Sequence, residues 1–252
     1  MISVTILTKN CQETLEETLK SLQDFQEVLL YDTGSTDSTL TIAGKFSNVK
    51  VIQGSFIGFG PTHNVASTFA THDWILSIDS DEVLTSELYR ELITMPLDPG
   101  CVYAIQRYNY FNGKHIKWCA GWHPDWVRRL YHRKMTAFNE AAVHEQVLIK
   151  GLREIRLRSP LRHTPYRTTH DFLAKMQTYS TLFAKQNSSK KQSSLLKAVV
   201  HSSFAFFKSY ILKRGFLGGR EGFIISLYNS HTTFYKYLKL GEFQFLKHVY
   251  KN

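Results

Sequence analysis

Three acidic side chains close an apolar run in the segment Trp74-Ile75-Leu76-Ser77-Ile78-Asp79-Ser80-Asp81-Glu82. The run from Trp74 to Ile78 reads as a strand from the interior of a sheet. Carboxylates one and two residues apart repel each other, and partial burial raises the cost of keeping them ionised. A hard divalent cation relieves that repulsion, because Mg²⁺ and Mn²⁺ favour carboxylate oxygens and keep positions open for water and phosphates. An Asp-x-Asp pair at a strand's carboxyl end therefore points to a metal–diphosphate site. With nine aspartates among 252 residues the pair can arise by chance, so its neighbours must carry the assignment.

Those neighbours come from an alternation of strands and helices over the first hundred residues. Ser3 to Leu7 reads as a buried strand, and Thr14-Leu15-Glu16-Glu17 as a capping box opening a helix with Leu15, Leu19 and Leu22 on one face. Glu27 to Asp32 is a second strand, followed by the turn cluster Thr33-Gly34-Ser35-Thr36-Asp37 and a helix to about Phe46. Val49 to Ile52 is a third strand. A Gly-rich loop (Gly54, Gly58, Gly60) and a helix through His63 to Phe69 then precede the strand ending at Asp79. Such alternation predicts an α/β fold, a mostly parallel sheet with helices on both faces, whose ligands collect beyond the carboxyl ends of the strands. Those ends carry Thr8-Lys9-Asn10, Asp32, Gly54-Ser55 and Asp79-Ser80-Asp81, four polar tips on one rim.

Composition describes an ordinary globular chain, 43% hydrophobic and 21% charged, with a net charge of +10. The charge is divided unevenly. Residues 1–100 hold 5 Lys and Arg against 14 Asp and Glu, and residues 101–252 hold the remaining 26 against 7, balances of −9 and +19. A basic half can face nucleic acid, an anionic membrane surface or an anionic substrate. No nucleic-acid-binding module is recognisable in it, so no nucleic-acid partner is expected. Cys11, Cys101 and Cys119 form no CxxC pair, which favours a reducing compartment and argues against a cysteine-based zinc site. The first residues read as a strand rather than a signal peptide. No run of about 18 apolar residues is evident, so no membrane-crossing helix is expected.

Residues 101–165 are rich in aromatics and histidines and predict short strands and loops; beyond His163 the pattern is helical, with a break over Gln186 to Ser194. Leu195 to Leu212 is amphipathic and has two readings. As a core helix it buries Leu196, Val199, Val200, Phe204 and Phe207; as an in-plane membrane helix it sinks the same face into the headgroups, with Lys197, Lys208, Lys213 and Arg214 meeting anionic lipids. The charge balance favours a membrane-facing patch on a helix that is still partly core. Glycines from Gly215 to Gly222 interrupt the helices, which resume from Phe223 to Leu240.

The ordered set Val4 to Asn10, Asp32-Thr33-Gly34-Ser35-Thr36-Asp37, Asn64 and Asp79-Ser80-Asp81 resembles family-2 glycosyltransferases of the GT-A fold. The motifs Gly121-Trp122-His123-Pro124-Asp125, Arg129-Leu130, Val143-His144-Glu145 and Gly215 to Phe223 look like the branch that glucosylates bacterial lipopolysaccharide cores. The chain departs from that branch in having no acidic residue at Gly218-Gly219. The resemblance implies a GT-A catalytic domain over residues 1–165, with a donor half (1–100) and an acceptor half (101–165), followed by a basic helical appendage over 166–252. It also implies inverting, metal-assisted transfer of a hexose, glucose first, from a UDP-sugar to a lipopolysaccharide core or related anionic glycolipid. The place of work would be the inner face of a bacterial inner membrane, with the protein cytoplasmic and peripheral. Transfer to a protein or polyprenyl phosphate, or binding without catalysis, are the alternatives.

Carried over by residue, Thr8, Asn10 and Asp32 lie beside the nucleoside, with Lys9 on the rim near phosphate and Asn64 also on the donor side. Asp79 faces the ribose or the metal, and Asp81 holds Mn²⁺ or Mg²⁺ on the diphosphate, with His144 a candidate third ligand. Inversion needs one base to take the acceptor proton. Glu145 is the first candidate and Asp125 the second. Trp122 is placed to stack on sugar, and Arg128 and Arg129 to meet acceptor phosphates or carboxylates.

Overall fold

A computed structural model describes residues 1–140 and 145–249. The elements in chain order are β1 (Ile2–Thr8), α1 (Leu15–Lys20), β2 (Val28–Asp32), α2 (Thr39–Ala43), β3 (Val49–Gln53), α3 (Phe59–Thr68), β4 (Trp74–Asp79), β5 (Glu82–Leu84) and α4 (Ser86–Thr94). Then follow β6 (Cys101–Phe111), β7 (Lys114–His115), β8 (Trp126–His132), β9 (Arg153–Arg156), β10 (Leu161–His163), α5 (Thr169–Asn187), α6 (Leu195–Phe207) and α7 (Gly219–Val249). The chain forms two compact units, Met1–Tyr108 with Asp125–His163 and Asn109–Pro124 with Thr164–Asn252. The segment 109–124, expected in the acceptor half, therefore belongs with the helices.

The first unit is built on a sheet ordered β3-β2-β1-β4-β8-β6-β10-β5. Strands β1 to β4 pair in parallel, and their register aligns Thr8 with Asp32, Asp32 with Gln53, and Leu7 with Asp79. The polar tips thus share one edge. Their near-continuous apolar runs are what a sheet covered on both faces requires. Val4, Ile6, Leu76 and Ile78 pack with Leu15, Leu19 and Leu22 on one face, and Leu29, Ile75, Tyr131 and Phe138 form a second cluster. Beyond β4 the sheet becomes mixed, since β8 runs antiparallel to both β4 and β6. The capping box expected at Thr14 does not form; its hydroxyl instead donates to the Cys11 carbonyl at 3.4 Å.

The second unit is helical apart from the small hairpin of β6 and β7. A capping box does form here, between Thr168 and Asp171 at the start of α5. The core of this unit is rich in aromatics, Phe111, Trp122 and Phe172 packed with Ile225, and Tyr166 stacks on Phe172 at 4.2 Å. The glycine motif serves close packing. A Cβ at Gly222 would fall 1.9 Å from the Gly215 carbonyl oxygen, so the first turn of α7 can lie against that backbone only as glycine.

Candidate active site

At the tips of β1 to β3 lies a cleft of about 600 Å³, lined by Lys9, Asp32, Thr33, Gln53, Ser55 and Phe56 among others. Gly54 in its wall is required by geometry, because a Cβ there would meet the Tyr31 hydroxyl at 1.9 Å. Asp32 is buried and saturated with donors. Its Oδ2 accepts from the backbone N–H of Gly34 (3.1 Å) and Ser35 (2.9 Å), and its Oδ1 accepts from the hydroxyls of Thr8 (3.2 Å) and Ser35. Burial pushes the Asp32 pKa up, but these hydrogen bonds outweigh it and hold the carboxyl below its ordinary value. Asn10, at φ 51°, accepts from Thr36 N–H at 2.8 Å through its side chain. Thr8, Asn10 and Asp32 therefore fix the loop that shapes the cleft through their own side-chain bonds. Lys9 and the aromatic Phe56 line the opening; Phe56 escapes motif reading because it sits in a loop with no patterned spacing, and Gln53 because it is a single polar residue ending β3.

The three acidic residues after β4 have different surroundings. Glu82 is fully buried and accepts from Arg129 Nη2 (2.6 Å), Arg107 Nη1 (3.3 Å) and the backbone N–H of Asp79 (2.9 Å). Asp79 is also paired with Arg129 and lies 3.8 Å from Arg107 Nη1, but 35% of its side chain remains accessible. Asp81 is 25% accessible, with His163 Nε2 at 3.6 Å. Burial raises the pKa of Asp79, and the Arg129 and Arg107 charges reverse this and hold it well below the carboxylate range. Burial also raises the Glu82 pKa and, with the charge of Asp79, prevails over the arginines. The loop is fastened by Thr18, whose hydroxyl donates to the Ser80 carbonyl at 3.0 Å.

Arg129, expected at the acceptor, is instead a buried counter-ion beneath the Asp-x-Asp. The antiparallel placement of β8 beside β4 puts it there. Asp125 is paired with Arg107 Nε at 2.9 Å. Among the described residues no three His, Cys, Asp or Glu groups converge on a point. Two accessible carboxylates beside a polar cleft fit a cation of the Mg²⁺ type, which takes one or two carboxylates and completes its shell with substrate phosphates and water.

Glu145 is half-buried in the loop after Phe138. Both sides of that loop are tied down. Asn64, expected on the donor, engages the Phe138 backbone twice: its Oδ1 accepts from the N–H (2.8 Å) and its Nδ2 donates to the carbonyl (3.0 Å). Arg128, expected on the acceptor, pairs with Glu154 (2.7 Å) and donates to the Val147 carbonyl (3.2 Å) and Gln146 Oε1 (3.3 Å). His144 lies outside the described residues. His63 is buried, stacked on Phe138 at 4.4 Å, with Nδ1 3.2 Å from Ser77 Oγ; burial holds its pKa down to about 4. Trp122, expected to stack on sugar, is buried in the aromatic core of the helical unit.

Residues 3–183 match glycosyl transferase family 2. An uncharacterized glycosyltransferase of Rickettsia bellii is 26% identical over 261 residues, covering 96% of this chain and 86% of the relative. The poly(ribitol-phosphate) β-N-acetylglucosaminyltransferase TarS of Staphylococcus aureus is 34% identical over 100 residues, 35% of this chain and 18% of TarS. The solved mannosyltransferase PcManGT from Pyrobaculum calidifontis, in complex with GDP-Man and Mn²⁺, superposes with a TM-score of 0.51 at 15% identity, covering 100% of this chain and 87% of that one. At that identity the likeness establishes the shared GT-A-like, Rossmann-type fold.

Proposed function

Because the chain belongs to glycosyl transferase family 2, we propose that it transfers a hexose from a UDP-sugar to a lipopolysaccharide core or related anionic glycolipid, with inversion and with a divalent metal. The observation that carries this reading is the contrast after β4: Asp79 and Asp81 stay accessible next to the strand-tip cleft while Glu82 is withdrawn between two arginines. The GDP-Man and Mn²⁺ bound to PcManGT support a nucleotide-sugar donor with a metal, and the name of TarS supports transfer of a hexose-type sugar.

Asp79 and Asp81 would hold Mg²⁺ or Mn²⁺, which when bound stabilises charge developing on the diphosphate. Lys9 supplies a further positive charge at the cleft. Phe56 offers an exposed ring that a nucleobase could cover. Glu145 takes the acceptor proton. Phe138 and Val147, which precede and follow it in the chain, are held by Asn64 and Arg128, and a general base needs a defined position. Asp125, which pairs with Arg107, is the second candidate.

The test is a donor screen by released nucleotide, with and without Mn²⁺, using extracted core oligosaccharide as acceptor. Turnover should fall by about 10²-fold or more in Asp81→Ala and in Glu145→Gln, with donor affinity nearly unchanged in the latter. Full metal-dependent activity in Asp81→Ala would remove that residue from the metal site. Sugar transfer to a peptide, with none to core oligosaccharide, would overturn the acceptor.

A further inference from the structure

The large apolar side chains of α6 point away from the protein. Leu196, Val199, Val200, Phe204 and Phe207, the residues a core helix would bury, are 46–72% exposed. The stripe turned inward is made of small residues instead, Ala198, Ser202 and Ser209. Small side chains let α7 approach closely, and hydroxyls close the contact: Ser230 Oγ donates to the Ser202 carbonyl and Ser226 Oγ to Ser209 Oγ, each at 2.9 Å. The amphipathic face is therefore inverted, with polar and small groups inside and hydrocarbon outside.

This face is continuous and bordered by positive charge. The 18 residues Leu195–Leu212 have a mean hydropathy of 1.2 with 11% buried, which meets the length and hydropathy of a membrane-crossing helix and corrects the expectation that no such run exists. Exposed Phe216 and Leu217 extend the face through the following turn. Between Leu195 and Arg220 stand Lys197, Lys208, Lys213, Arg214 and Arg220, all exposed, and no acidic residue. A contiguous apolar patch rimmed by polar groups marks an interaction site. One whose own segment carries five cations and no carboxylate matches an anionic lipid surface.

We propose that α6 and the turn after it dock in the headgroup layer of an anionic bilayer, with the helix lying in the plane of the membrane. A spanning orientation would carry Lys208 and the hydroxyl-lined contact with α7 into hydrocarbon, where ionised groups are costly. In the plane, the apolar side chains enter the acyl boundary while the lysines stay among phosphates. On the glycolipid reading, this bilayer is the inner face of a bacterial inner membrane, and docking keeps enzyme and acceptor in one layer. The docking face shares no residue with the candidate active site.

The test is co-sedimentation of the full chain with phosphatidylglycerol–phosphatidylcholine vesicles and with pure phosphatidylcholine vesicles. Binding should be at least about 10-fold tighter to the anionic vesicles and should weaken with salt, given roughly 5-fold per basic residue at such a surface. Phe204→Glu with Leu217→Glu should abolish it. Lys213→Glu with Arg214→Glu, both at exposed positions, should lower anionic binding about 10-fold or more while leaving the circular dichroism spectrum unchanged. Absence of binding to anionic vesicles, or equal binding by all variants, would overturn the proposal. So would a dimer in solution that Phe204→Glu dissociates, which would give the face to a second copy. No turnover is read, so failure here and failure of the sugar-transfer reading are told apart.

Discussion

In the first unit Glu82 and Arg129 meet at 2.6 Å with almost no access to water, while in the second Phe204 and Leu217 are more than half exposed. Each arrangement reverses the usual sorting of side chains. The buried charges are compensated locally, by two arginines, a backbone N–H and neighbouring carboxylates. The exposed hydrocarbon has no such compensation within the described residues. A unit that neutralises its own charge prepares a rigid polar wall for a ligand arriving from water. A unit that leaves hydrocarbon uncovered calls for a neighbour that is not water.

Three measurements break or sharpen this contrast. Arg129→Ala should have the largest effect, about 3–5 kcal/mol of unfolding free energy in a denaturant titration, because the buried Glu82 loses its nearest cation and Asp79 loses a partner as well. A loss below about 1 kcal/mol would mean that the pairing is not what keeps these charges buried. His63 should come next. Its pKa is about 4 in the folded chain against about 6.5 when unfolded, so only the unfolded state takes the proton between those values. Stability should therefore fall as pH drops from 6.5 towards 4, by up to about 3 kcal/mol, with no contribution above 6.5. His63→Gln should flatten that part of the profile, and an unchanged slope would assign it elsewhere. Smallest is Phe204→Ser, which should move stability in buffer by no more than about 0.5 kcal/mol. A cost above about 2 kcal/mol would show that Phe204 belongs to the core.

The donor side of the fold was legible because each strand is a short apolar run ending in a polar tip, and parallel pairing puts such tips on one edge. That rule puts Asp79 at the tip of β4, level with Leu7 of β1, as the register shows. It says nothing of Asn64: its partner Phe138 is 74 residues away, and an amide that ties down a backbone looks in sequence like one that binds a nucleoside. Arg129 was misread for a similar reason. Its role depends on β8 running antiparallel to β4, a pairing that no local pattern encodes. For α6 the periodicity revealed an apolar face but not its direction. That is set by Ala198, Ser202 and Ser209, whose smallness matters only once α7 lies against them.

The division of the helical unit between two stretches of chain bears on how the protein is made. Phe111 and Trp122 leave the ribosome well before Phe172 and Ile225, the residues that cover them. Domains generally fold as units, N-terminal first, during synthesis. The first unit has all its strands once His163 has emerged, yet it must then carry an aromatic hairpin whose core does not yet exist. Until α5 and α7 are translated, Phe111 and Trp122 lack the residues that bury them in the finished chain, and transiently exposed apolar surface of that kind favours aggregation.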